Sequence, residues 1–97
     1  MKMGLEKLES HEGIVVKALL DSGATGLFMD MIFAREKGFK MEKLKNPLLV
    51  KNVDRTVNVG GAIIHQVECN MFFKGHVERV RMDVCNLGKI EVILGMP

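Results

Sequence analysis

The chain has 97 residues, 47% of them hydrophobic and 27% charged, with a net charge of +2. That length suits one domain with a thin core, which association with a second copy could usefully enlarge, and is too short for two. The composition excludes a disordered chain, the small charge gives no reason to invoke nucleic acid, and no apolar run has the length of a membrane span.

The N-terminal "MKMGLEKLES" lacks the apolar stretch of a signal peptide, so a soluble, intracellular protein is expected. A first short strand should precede the turn "HEG" at 11–13. "IVVKALLD", residues 14–21, is β-branched and aliphatic between Gly13 and Gly23, and reads as a central strand buried on both faces.

From Leu27 the spacing of Phe28, Met31, Ile32 and Arg35 predicts a helix over about 27–37, stopped at Gly38. A lysine-rich connection, taken as a solvated face, ends at Asn46-Pro47. "LLVKNVDRTVNV" then predicts a hairpin with an exposed tip. Gly60-Gly61 allow a bend before "AIIHQVECNMFF", which sets Ile63, His65, Val67, Cys69 and Met71 on one face of a strand. Val80, Met82 and Val84 alternate with Arg79, Arg81 and Asp83, and "NLG" at 86–88 turns the chain towards a last strand, "IEVILG". The expected class is mainly β with one short helix.

Cys69 and Cys85 are too few for a disulfide framework and read as core thiols. His65, Cys69, His76 and Cys85 are zinc-ligand types, but their gaps of three, six and eight residues fit no standard finger or knuckle. No metal is expected. The eight methionines read as soft core filler rather than a metal site.

Asp21 stands out, because an ionised carboxylate at the end of an apolar strand is costly unless something satisfies it. A lone acid before Ser22-Gly23 is often a turn former or cap. A metal ligand is the other plain reading, and no second carboxylate or histidine lies at a usable local spacing.

The ordered set "ALLDSGAT" at 18–25, a helix, an exposed hairpin, and "VILGMP" at 92–97 resembles the retropepsins, the retroviral-type aspartic proteases. Among them it is most similar to the protease domains of Gypsy-type LTR retrotransposon polyproteins, and the likeness covers nearly the whole chain. It implies a small closed β-barrel with one short helix and half an active site per chain. Residues 1–97 would form one domain excised from a longer polyprotein, lying in the cytoplasm or within retrotransposon particles.

Aspartic proteases use two carboxylates that share one proton: one takes a proton from a water while the other donates to the scissile carbonyl. Of Asp21, Asp30, Asp54 and Asp83, only Asp21 has the Asp-Ser-Gly setting; Asp30 is expected on the helix, Asp54 at the hairpin tip and Asp83 on a strand. A twofold homodimer would therefore supply the second Asp21. The resemblance gives Ser22 a role in locking the paired loops, and makes Gly23 and Ala24 the small residues that admit substrate. The hairpin at about 48–62 becomes a flap, with Val53, Asp54, Arg55 and Thr56 near its tip, and Ile93 lines a pocket or simply packs in the core.

The expected activity is an aspartic endopeptidase that cleaves extended polyprotein peptides without a cofactor, with an optimum on the acid side of neutral. A catalytically inactive dimerisation or protein-binding module of the same fold is the alternative. A small nucleic-acid or zinc-binding domain is the third reading, disfavoured by charge, few aromatics and Cys/His spacing.

Overall fold

A computed structural model describes residues 1–21, 26–49 and 62–95. Seven strands and one helix follow in the order β1 (Lys2–Lys7), β2 (Gly13–Asp21), β3 (Leu27–Asp30), α1 (Met31–Glu36), β4 (Glu42–Leu49), β5 (Ala62–Phe73), β6 (His76–Cys85) and β7 (Val92–Gly95). The sheet order is β1-β2-β7-β3-β6-β5-β4, and an added β1–β5 pairing closes six of these strands into a barrel. The expected fold class, mainly β with a small closed barrel and one short helix, is what the chain adopts.

The length of β5 explains how the barrel closes and still carries a seventh strand. Its first half, Ala62 to Gln66, pairs with β4, and its second half, Cys69 to Phe72, pairs with β1. Lys74 and Gly75 then close the β5–β6 hairpin with φ of 49° and 79°. A two-residue hairpin loop of this kind needs positive φ at both positions, which glycine adopts without strain.

The core follows the alternation. Leu5, Val16, Met29, Val67, Cys69, Met82 and Val92 are almost wholly buried in the larger cluster, with Phe33 and Ala34 of α1 packed among them. Each large side chain so buried stabilises the fold by about 1.5–3 kcal/mol. A second cluster joins Phe28, Ile63, Cys85, Leu87 and Ile93.

Four expectations are corrected. The strand at 14–21 is not buried on both faces: Val16 and Ala18 point inward, while Val15, Leu19 and Leu20 are exposed. Its neighbours β1 and β7 lie beside it in the barrel wall and leave its outer face open.

The helix does not begin at Leu27. Residues 27–30 form β3, wedged between β7 and β6, and α1 starts only at Met31. Pairing on both sides outweighs the local helical spacing, and Ile32 is exposed on the short helix.

The lysine-rich connection is strand β4 rather than a loop. Pro47 fits within it because β4 pairs on one side only and its register shifts between Lys43 and Leu48, so no ladder hydrogen bond from Pro47 is required.

Asp30 is not inside the helix but caps it. One carboxylate oxygen accepts from the Phe33 N–H at 3.1 Å, and the other accepts from the Leu87 N–H at 2.8 Å. The cap thus ties the start of α1 to the loop after β6.

Both cysteines are free and buried, as expected of core thiols. Burial, with the Glu68 carboxylate adding to it, pushes the Cys69 thiol from 9.0 up to about 11. Burial and the Asp83 and Asp30 carboxylates push Cys85 up to about 12. The unfolded chain would release these protons first, so their contribution to stability is complete below pH 9.0 and is lost as pH climbs towards 11 and 12. Thermal midpoints recorded across the alkaline range should fall less steeply for Cys85→Ala than for the parent; parallel curves would contradict this assignment.

Candidate active site

Asp21 is the last residue of β2 and is buried, at 6% exposure. The strand arrives there because β7 runs parallel beside it, setting Leu19 against Ile93, Leu20 against Leu94 and Asp21 against Gly95. On the far side of β7, β3 pairs antiparallel, with Leu27 opposite Leu94 and Phe28 opposite Ile93.

Gly95 therefore joins both ends of the segment that follows Asp21. It lies in register with Asp21, and its N–H donates to the Gly26 carbonyl at 2.7 Å. Gly26 has φ of +118°, a conformation that disfavours any side chain. "VILG" acts as a platform across which the chain leaves at Asp21 and returns at Gly26.

Asp21 and Asp30 are the buried acids among the described residues. The Asp30 carboxylate is occupied by the cap and the Leu87 N–H. Asp83, half-buried on β6, accepts from the Gln66 side-chain amide at 2.7 Å. Two of the four aspartates thus have structural hydrogen bonds that account for them, and neither lies beside the Gly95 platform.

Ile93 is fully buried against the second cluster, one strand position from Leu94 and two from Gly95. It forms part of the floor under the platform. Leu19 and Leu20, which sequence reading assigned to the core, are 38% and 54% exposed immediately before Asp21. Alternation could have flagged Leu19, which shares the face of Val15, whereas Leu20 breaks the pattern where the strand ends.

Ser22, Gly23 and Ala24 lie outside the described residues, as do Val53, Asp54, Arg55 and Thr56. At the base of the expected flap, Leu48 pairs with Ile63 and Leu49 with Ala62, so residues 50–61 join two antiparallel strands. Among the described residues, no three His, Cys, Asp or Glu side chains converge as a metal site. No helix among them is long and apolar enough to cross a membrane.

A cavity of about 300 Å³ lies elsewhere, lined by Lys7, Leu8, Glu12, Phe39, Lys40 and Glu68 among others. It borders the β1–β2 turn, takes no residue from β2, β3 or β7, and plays no part in the Asp21 site.

A closed six-stranded barrel with one short helix, and an Asp-Ser-Gly acid braced by a terminal glycine strand, defines the retropepsin-like class of aspartic protease domains. Residues 17–97 match the PEG10/RTL1 protease domain, and the chain belongs to that family of retrotransposon-derived, retropepsin-like domains.

Proposed function

We propose that this chain is one half of a homodimeric aspartic endopeptidase in which Asp21 and the Asp21 of a second copy form the catalytic dyad. The observation that carries the reading is Asp21, buried at the end of β2 and in register with Gly95 of the parallel strand β7.

One oxygen of the ionised carboxylate takes a proton from a water, whose oxygen attacks the scissile carbonyl carbon. The protonated partner donates to the carbonyl oxygen, and collapse of the tetrahedral intermediate returns a proton to the leaving amine. Ser22 would lock the two loops by hydroxyl-to-backbone hydrogen bonds, while Gly23 and Ala24 leave room for an extended peptide. The hairpin at about 48–62 serves as the flap, bringing Val53, Asp54, Arg55 and Thr56 over the substrate, and Ile93 shapes the floor below it. The substrates are extended, largely apolar sites in a polyprotein of Gypsy type, of which residues 1–97 form one domain. No cofactor takes part.

Cleavage of a peptide library by wild type and Asp21→Asn, at several protein concentrations and with a statine-type inhibitor, tests this. The substitution should lower the rate at least about 10²-fold. Wild-type activity per chain should rise with concentration. Equal cleavage by both chains would overturn the proposal, and cleavage by neither would leave the fold as a dimerisation or protein-binding module.

A further inference from the structure

The outer wall of the barrel carries an arrangement that the protease reading does not use. Directly opposed residues on antiparallel strands point to the same face. The registers Val15 to Gly4, Gly4 to Phe72 and Phe72 to Val77 therefore set four residues side by side across β2, β1, β5 and β6.

This row faces outward: Val15 is 73% exposed, Val77 59% and Phe72 38%. Gly4 leaves a notch between Val15 and Phe72, where an added Cβ would stand in ordinary contact, 3.5 Å from the Phe72 Cβ. An apolar band spanning four neighbouring strands differs from the scattered exposed aliphatics of most surfaces.

Two lysines stand together along one border of the band. Lys2 and Lys17 are direct cross-strand partners and both are exposed, and Lys74 stands in the β5–β6 turn beyond the same end of the band. Like charges directly opposed are destabilising, and among the described residues none of these three lysines forms an ion pair. Glu91 accepts from the Lys17 backbone N–H at 2.7 Å, while the Lys74 ammonium lies 5.3 Å from the Phe73 ring centre. Along the opposite border, Glu6 accepts from the Asn70 amide, and Arg79 pairs with Asn70.

We propose that this wall docks an acidic, amphipathic polypeptide segment of a partner protein. Its aliphatic or aromatic side chains cover Val15, Phe72 and Val77 and enter the Gly4 notch, while its carboxylates meet Lys2 and Lys17. Strand addition to β1 or β5 is not the mode, because at the band β1 is already paired on both sides by β2 and β5, and β5 by β1 and β6. A lipid surface is the poorer fit: the band is one residue wide, and its one aromatic is more than half covered. Val15 lies near the opposite end of β2 from Asp21, roughly 20 Å away at strand rise, so docking leaves the candidate active site open.

The test titrates the Asp21→Asn chain, which avoids cleavage, with peptides of about twelve residues that permute leucine, phenylalanine and glutamate. At least one should bind about tenfold or more tightly than its lysine-for-glutamate counterpart, and binding should weaken with salt. Lys17→Glu, Val77→Ser and Gly4→Thr, each checked for an unchanged thermal unfolding midpoint, should each weaken that binding several-fold. A panel with no preference for glutamate, or variants that bind as tightly as the parent, would overturn the proposal. Binding to phosphatidylserine vesicles with every peptide silent would overturn it too, in favour of lipid. The peptide-cleavage assay is independent of all these outcomes.

Discussion

Asp30→Ala should destabilise the domain by about 3–5 kcal/mol, a large share of the roughly 5–15 kcal/mol expected for a domain of this size. The Asp30 carboxylate is buried and accepts from two backbone N–H groups, those of Phe33 and Leu87. Hydrogen bonds to a charged acceptor are each worth about 1.5–3 kcal/mol, and removing the acceptor leaves two buried donors unpaired. Asp30→Ser should fall between parent and alanine, because a hydroxyl can still cap Phe33 but is too short to hold Leu87 as well. Urea unfolding of the three proteins measures this order. An alanine variant within about 0.5 kcal/mol of the parent would show that neither bond matters.

The second large effect concerns β1. Residues 17–97 match the family, yet β1 lies outside that span and is the strand that joins β2 to β5. It also buries Met3 and Leu5. A chain trimmed to 17–97 loses both pairings and half of the β1–β2 hairpin, leaving open strand edges and apolar core exposed to water. It should show no cooperative unfolding transition by circular dichroism, whereas Leu5→Ala, which costs about 2–5 kcal/mol, should keep one at a lower midpoint. Full stability in the trimmed chain would contradict the role given to β1.

Much of this was legible in the residues. The alternation in "AIIHQVECNMFF" and "VERVRMDV" marked β5 and β6, and "ALLDSGAT" with "VILG" marked the acid and its glycine strand before either was placed. What escaped depended on partners distant in the chain. Phe28 falls into helical spacing with Met31, Ile32 and Arg35, and only the pairing of residues 27–30 with β6 and β7 makes them a strand. Lys43 and Lys45 read as a solvated connection because a strand paired on one side only can be almost wholly polar. The second bond of Asp30 reaches Leu87, 57 positions away, and leaves no local signature. Leu19 and Leu20 looked like core because an aliphatic run carries no sign of which wall of a closed barrel lacks a cover.

The half-site is the central claim, and mixing subunits tests it most directly. Wild-type chain at fixed concentration is titrated with increasing Asp21→Asn chain, and peptide cleavage is followed. If the site is assembled from one Asp21 of each copy, the added chain captures wild-type partners in pairs that hold a single acid, and the rate should fall towards zero as the variant comes into excess. A cleavage rate that tracks the wild-type concentration alone, whatever amount of variant is added, would contradict it.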